Sequence, residues 1–261
     1  MSKTINYWDG TQWKPSNIHK EYNPLKAVLV CGGPSLAKIN PEDLTGTGKF
    51  VLGLNNTYPY VSPDAWMGMD DPRCYDRRVL QEPFPKYLRA MFHDNTLQGC
   101  EVKNLSNVHF VSCKKGKQEQ IFEKASSQSD RFLWQKNVMS TGMSLLIAMG
   151  FKEIYIVGCD LNNKEKDYFN STVLTESDNK RNALLYSQLT DWLKWLSTSA
   201  KINGINLFSS SPDSVINDFM PYCSIKDLND KVQKTLFKEA PLYYCKEIDK
   251  LQEETKLEDI L

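Results

Sequence analysis

Three carboxylates of this chain, Asp70, Asp71 and Asp160, are of a type that does acid–base work or holds a divalent cation. Asp70 and Asp71 follow the apolar run AWMGM (65–69), and Asp160 follows IYIVG (154–158), with Asn162 and Asn163 just beyond. Other apolar runs also end in small or polar residues. FVLGL (50–54) gives way to Asn55 and Asn56, and INLFS (205–209) opens into Ser209, Ser210, Ser211 and Pro212. The stretch AVLVCGGPSLAKI (27–39) runs a strand pattern into Gly32, Gly33, Pro34 and Ser35. Glycines let another group approach the main chain, and proline suits the first turn of a helix. The unpaired N–H groups of such a turn, at the positive end of a helix dipole, form a seat for an anion. Ser140-Thr141-Gly142, ahead of MSLLIAMG (143–150), reads as a second helix start in which either hydroxyl caps. Each feature also has an ordinary reading: a tight turn at 32–35 that binds nothing, an Asx turn at Asn55-Asn56, a solvated corner at Asp70-Asp71.

The elements that must position these residues are legible. VHFVS (108–112) joins the five runs above as a sixth strand candidate, and helical patterns lie between several of them. Apolar strands alternating with helices predict an α/β fold: a Rossmann-like, doubly wound, mostly parallel sheet flanked by helices. Ligands of such sheets sit beyond the carboxyl ends of the strands, so the residues just after each strand share one edge. Two anion-friendly helix starts beside amides and carboxylates then suit a nucleotide or another phosphorylated ligand. In 182–200, Leu185, Leu189, Trp192, Leu193 and Leu196 share one helical face, which reads as core. Residues 1–24 read as an appended hairpin around Asp9-Gly10, 25–222 as the nucleotide-binding domain, and 223–261 as a helical C-terminal segment.

Composition narrows the partners. Thirty-two basic and 32 acidic side chains give zero formal net charge, which argues against bulk binding to nucleic acid. The seven cysteines form no CxxC pair, so neither a zinc site nor a disulfide framework is expected. The first residues lack the apolar core of a signal peptide and no segment is long enough to span a bilayer, so a cytoplasmic location is expected. There is no GxxxxGK[ST], GxGxxG or GxSxG. Of the histidines, His19, His93 and His109, only His93 stands where acid–base work is plausible.

As a set, GGPSL, GLNNTY and STGMSLLIAMGFKEIYIVGCDL resemble the bacterial sialyltransferases of glycosyltransferase family 42. SPDAWMGMDDP is similar to a related group of motility-associated glycosyltransferases and hydroxymethylpterin diphosphokinases. The resemblance implies a nucleotide-sugar donor, CMP-linked, cradled by Gly32, Gly33, Pro34, Ser35, Asn55, Ser140, Thr141 and Gly142, with an acceptor glycan or other molecule as second substrate. Of the two tyrosines that the family places on the leaving phosphate, the second matches Tyr168, and Asn162 stands at the first. The family's asparagine in the first turn is Gly32 here, Val138 stands where it has an arginine, and no histidine occurs between Asp178 and Thr190 to act as base. Asp70 and Asp160 are the alternative catalytic carboxylates. The related group implies a different reading, a diphosphokinase with Mg2+ held by carboxylates that Asp70, Asp71 and Asp160 could supply, Asp70 and Asp71 first; a third is a nucleotide-binding module without catalysis. Assembly into a homo-oligomer is left open by the sequence.

Overall fold

The computed structural model describes residues 5–16, 26–45, 48–97, 99–114, 116–122, 132–133, 137–162, 168–170 and 175–228. Nine strands form one sheet: β1 (Ile5–Trp8), β2 (Trp13–Pro15), β3 (Lys26–Val30), β4 (Phe50–Leu54), β5 (Ala65–Gly68), β6 (Lys86–Arg89), β7 (Val108–Val111), β8 (Glu153–Val157) and β9 (Asn206–Ser209). Their spatial order is β9-β8-β3-β4-β5-β6-β7-β1-β2. From β9 to β7 every pairing is parallel. β1 runs antiparallel to β7 and to β2, so the N-terminal hairpin extends the sheet. The chain moves outward from β3 through β7 and then returns to β8 on the other side of β3. That reversal opens a crevice beyond the carboxyl ends of β3 and β8.

The pleat of β3 explains its two-sided core. Ala27 and Leu29 pack with the residues of two long helices, α1 (Val138–Ala148) and α2 (Glu176–Ile202), whereas Val28 and Val30 face the opposite cluster. That second face is covered by Leu36, Leu44, Val61 and Ile225 from single turns and loops, not by long helices. The apolar stripe of α2 is core only in its C-terminal half. Trp192, Leu193, Leu196 and Ala200 are buried, while Leu185 and Leu189 are half-exposed near the crevice.

Both sheet edges are short or covered. The Ser209 N–H donates to the Pro221 carbonyl, and the Cys223 N–H donates to that of Ser209, so residues 221–223 run along the outer side of β9. β2 contains three residues and ends in Pro15. Its Trp13 packs edge-on against Phe110 at 5.4 Å and against His93 at 5.2 Å. The Asp9 carboxylate closes the hairpin turn by accepting from the N–H groups of Thr11 and Gln12. Cys100 is disulfide-bonded, contrary to the expectation from the absence of a CxxC pair. Among the described residues no helix is long and apolar enough to cross a membrane.

β6 has no counterpart among the expected strands. Its sequence, KYLR, follows Pro85 and offers only Tyr87 and Leu88 to the core. Lys86 opens this strand fully buried, its Nζ donating to the carbonyl oxygens of Phe84, at 3.1 Å, and Glu82. Burial pushes its ammonium down from 10.5 to about 7. The unfolded chain therefore binds a proton between these values that the folded chain does not, and stability rises with pH across that window. Replacing Lys86 with Met is expected to flatten that rise, measured as urea unfolding at a series of pH values from neutral to alkaline.

Candidate functional site

The loops leaving β3 and β8 touch through main chain. The Cys31 N–H donates to the Val157 carbonyl and the Gly33 N–H to the Gly158 carbonyl, both at 2.7 Å. A Cβ on Gly33 would stand 2.5 Å from Asp160 Oδ2 and 2.6 Å from the Gly158 carbonyl oxygen, so only glycine fits there. Gly158 has φ +67°, and a side chain on it would overlap the Cys31 carbonyl. Through the space that Gly33 leaves open, Asp160 Oδ2 accepts the Ser35 N–H at 2.8 Å. The anion expected at this first turn is thus the chain's own carboxylate, buried to 6% exposure. The turn itself is a short 3-10 helix, Pro34–Lys38.

Two serines after β9 hold the residue just ahead of this carboxylate, Cys159, through its peptide groups. Ser211 Oγ accepts the Cys159 N–H at 3.2 Å, and Ser214 Oγ donates to the Cys159 carbonyl. Ser209, Ser210, Ser211 and Ser214 are all buried and none lines the crevice. Leu161, just after Asp160, is held at φ +54°, an unusual conformation for a bulky residue.

Beyond β4 and β5 a second set of contacts orients Asn55. Its φ is +49°, a region asparagine tolerates better than most residues. The Trp66 indole N–H donates to the Asn55 carbonyl at 2.7 Å, and the Tyr75 hydroxyl donates to Asn55 Oδ1 at 3.2 Å. The same hydroxyl accepts the Asp70 N–H at 2.8 Å. With Oδ1 engaged, the amide N–H groups of Asn55 are the donors left for a ligand. Burial pushes the Tyr75 phenol well above its ordinary range, so it stays protonated and keeps that orientation. Gly68 makes room for the Trp66–Tyr75 pair, since a Cβ there would lie 2.5 Å from the Tyr75 ring.

These loops enclose a cavity of about 880 Å³. Of the residues singled out in the sequence, Gly32, Gly33, Pro34, Asn55, Asp70, Asp160, Asn162 and Tyr168 line it. Tyr168 arrives because the Phe169 N–H donates to the Gly32 carbonyl at 3.1 Å, which lays that segment over the first turn. Ser35 does not line it, being buried behind the turn. Ser140, Thr141 and Gly142 do not line it either. α1 starts earlier than expected, with Asn137 as its cap: Asn137 Oδ1 accepts the Ser140 N–H at 2.8 Å. The Ser140 hydroxyl is spent on the Asn137 carbonyl. Ser140 and Thr141 are fully buried inside the helix, and Gly142 packs it closely on Leu29 and Leu54. Asn137, Val138 and Met139 are the α1 residues at the cavity.

α2 supplies a wall that sequence reasoning missed. It begins at Glu176, ahead of the expected 182, and Arg181, Asn182, Leu185, Tyr186 and Leu189 line the cavity. Arg181 is the one cationic side chain among the described lining residues. The signal was the N-terminal continuation of the Leu185–Leu189 stripe, interrupted by Lys180 and Arg181. No histidine is among the described lining residues: His93 meets Trp13 edge-on and its Nδ1 lies 2.7 Å from the Asp94 carboxylate.

The carboxylates do not converge as a divalent-cation site. Asp71 lies off the cavity and is held by Arg73 at 2.6 Å, which keeps its carboxyl below its ordinary range. Asp160 Oδ2 is engaged by Ser35, which leaves Asp70 as the exposed carboxylate at the cavity. Among the described residues no three His, Cys, Asp or Glu side chains form a metal-binding group.

No family model matches the chain, and no curated protein matches it in sequence. Solved structures with a similar chain path include the sialyltransferase CstII from Campylobacter jejuni in complex with cytidine-5'-monophosphate, at TM-score 0.46 and 16% identity over 87% of this chain and 97% of that one. Another is the monofunctional alpha-2,3-sialyltransferase Cst-I from Campylobacter jejuni, at TM-score 0.44 and 13% identity over 95% and 98% of the two chains. Likeness at this level transfers no residue role.

The two adjacent glycines of the first turn separate in their tolerance. Gly33→Ala is expected to destabilise the protein by about 2 kcal/mol, because backbone and a buried carboxylate must both move. Gly32→Ala meets only ordinary contacts, 3.7 Å or more from Tyr168 and Phe169, and is expected to leave the thermal midpoint nearly unchanged.

Proposed function

We propose that this chain is a glycosyltransferase that binds a nucleotide sugar, CMP-linked, in the cavity beyond β3 and β8 and transfers the sugar to an acceptor hydroxyl. The observation that carries this reading is a cavity of about 880 Å³ at the topological switch point, walled by asparagines, tyrosines, one arginine and the glycine turn. Its size is in the range that encloses a nucleotide-sized ligand. The motif resemblance of GGPSL, GLNNTY and the 140–161 block supports a cytidine donor.

In this reading the amides of Asn55 and Asn162 recognise the neutral parts of the donor. The Arg181 guanidinium and the Tyr168 hydroxyl meet the phosphate, and their charge and N–H or O–H groups stabilise the negative charge that builds as it leaves. Asp70, exposed at the cavity, takes the proton of the acceptor hydroxyl as its oxygen attacks the sugar's anomeric carbon and the phosphate departs with the bonding electrons. Asp160 positions the two loops through Ser35. No step is assigned to a metal ion.

Calorimetric titration of the purified protein with CMP, UDP, GDP and ATP, each with and without Mg2+, tests the donor. The expected result is preference for CMP with little dependence on metal. Preference for ATP with Mg2+ would replace this reading with the diphosphokinase, and no binding of any nucleotide would overturn the cavity as a nucleotide site. Asp70→Asn is expected to lower turnover of a CMP-sugar by about 10²-fold or more while CMP affinity is retained. Full activity in that variant would remove Asp70 from the mechanism.

A further inference from the structure

Three free thiols, those of Cys31, Cys74 and Cys159, stand in the wall of the cavity, and the reading above gives them no role; Cys74 is exposed, and the other two belong to the β3 and β8 loops. Cys31 follows β3 and is half-buried, and Cys159 follows β8 and is buried. Val30 and Val157 are paired in register and the Cys31 N–H donates to the Val157 carbonyl at 2.7 Å, so Cys31 leaves its strand opposite Gly158, with Cys159 one residue beyond on the adjacent parallel strand's loop. Gly158, between Val157 and Cys159, has no room for a side chain against the Cys31 carbonyl, which draws the two loops together. The sulfur of Cys159 also lies 3.7 Å from Met139 Sδ, in the first turn of α1. A hydrogen bond with Cys31 and burial together push the Cys159 thiol well above its ordinary range. Cys159 is therefore inert alone, and of this pair Cys31 is the more accessible to an oxidant entering the cavity.

We propose that Cys31 and Cys159 form a redox-active dithiol whose closure to a disulfide weakens ligand binding in the cavity. The oxidant is a hydroperoxide. It transfers an oxygen to the Cys31 sulfur, giving a sulfenic acid, and is itself reduced to water or an alcohol. The Cys159 sulfur then attacks the Cys31 sulfur; the S–O bond breaks, water leaves and an S–S bond forms. Overall the two thiols lose two electrons and two protons. Closure requires the Cys159 sulfur to leave Met139 and pulls the Cys31–Gly33 turn against Gly158 and Asp160. Main-chain groups there already stand at 2.7 Å, so the strain falls on the Ser35–Asp160 hydrogen bond and on the turn that walls the ligand.

The bond itself is independent of the proposed function; its effect on nucleotide binding rests on that reading. The full-length protein is treated with hydrogen peroxide, with and without later dithiothreitol. Peptide mass mapping then identifies which cysteines are linked, and calorimetry measures CMP affinity. The expected result is a Cys31–Cys159 linked peptide, lower in mass by two hydrogens than the two thiol peptides together. CMP affinity should fall by about tenfold or more and return with dithiothreitol. Cys31→Ser protein, compared with itself before and after peroxide, should show no linkage and no change in affinity. Recovery of Cys31 and Cys159 as free thiols, with oxidation confined to the exposed Cys74, overturns the proposal, as does a linked peptide with unchanged CMP affinity. Absence of CMP binding in the reduced protein would instead sink the nucleotide reading, while the mass map still decides whether the bond forms.

Discussion

The contact between Gly33 and Asp160 is the constraint on which the crevice depends. A parallel sheet brings the ends of β3 and β8 within reach, yet reach alone leaves two loops free to splay. The buried carboxylate of Asp160 ties them by accepting the Ser35 N–H, and that bond exists only because position 33 has no side chain. A buried carboxylate without partners is costly, so the arrangement is self-enforcing: the loops must close for the charge to be satisfied. Ser211 and Ser214, after β9, extend the same logic outward, spending their hydroxyls on the Cys159 peptide groups.

The two sides of the cavity are built on different physics. On the β3–β8 side the wall is main chain and glycine, held by short hydrogen bonds. On the β4–β5 side it is a side-chain relay in which Trp66 and Tyr75 donate to Asn55 and the Asp70 amide donates to Tyr75. The first wall is tight and admits little substitution. The second presents amide donors whose direction is set by a phenol kept neutral by burial. α2 closes the third side with an amphipathic face that turns from core to cavity part-way along its length.

Much of this was legible in the sequence, and for identifiable reasons. Strands covered on both faces read as unbroken apolar runs, so β3, β4, β5, β7, β8 and β9 were visible, and with them the residues that follow each. β6 was hidden because its flanks are Pro85 and a lysine that is buried against expectation. The Gly32-Gly33-Pro34-Ser35 turn was recognisable as a close approach, but not that its partner would be Asp160, 125 residues away from Ser35. The start of α1 was misplaced because serine, threonine and asparagine all cap well, and local sequence does not rank Asn137 above Ser140 and Thr141. The cavity face of α2 was read as core because periodicity marks an apolar stripe without saying what it faces.

The sheet ends differently at its two sides, and in each case growth is stopped. On one side residues 221–223 occupy the outer donors and acceptors of β9 at Ser209. On the other, β2 is three residues long, carries Lys14 in an ion pair with Asp9 and ends in Pro15, which offers no N–H. An edge of that kind gives an arriving extended chain little to zip onto. For a sheet with seven parallel strands, such terminated edges keep folded copies from pairing with one another edge to edge.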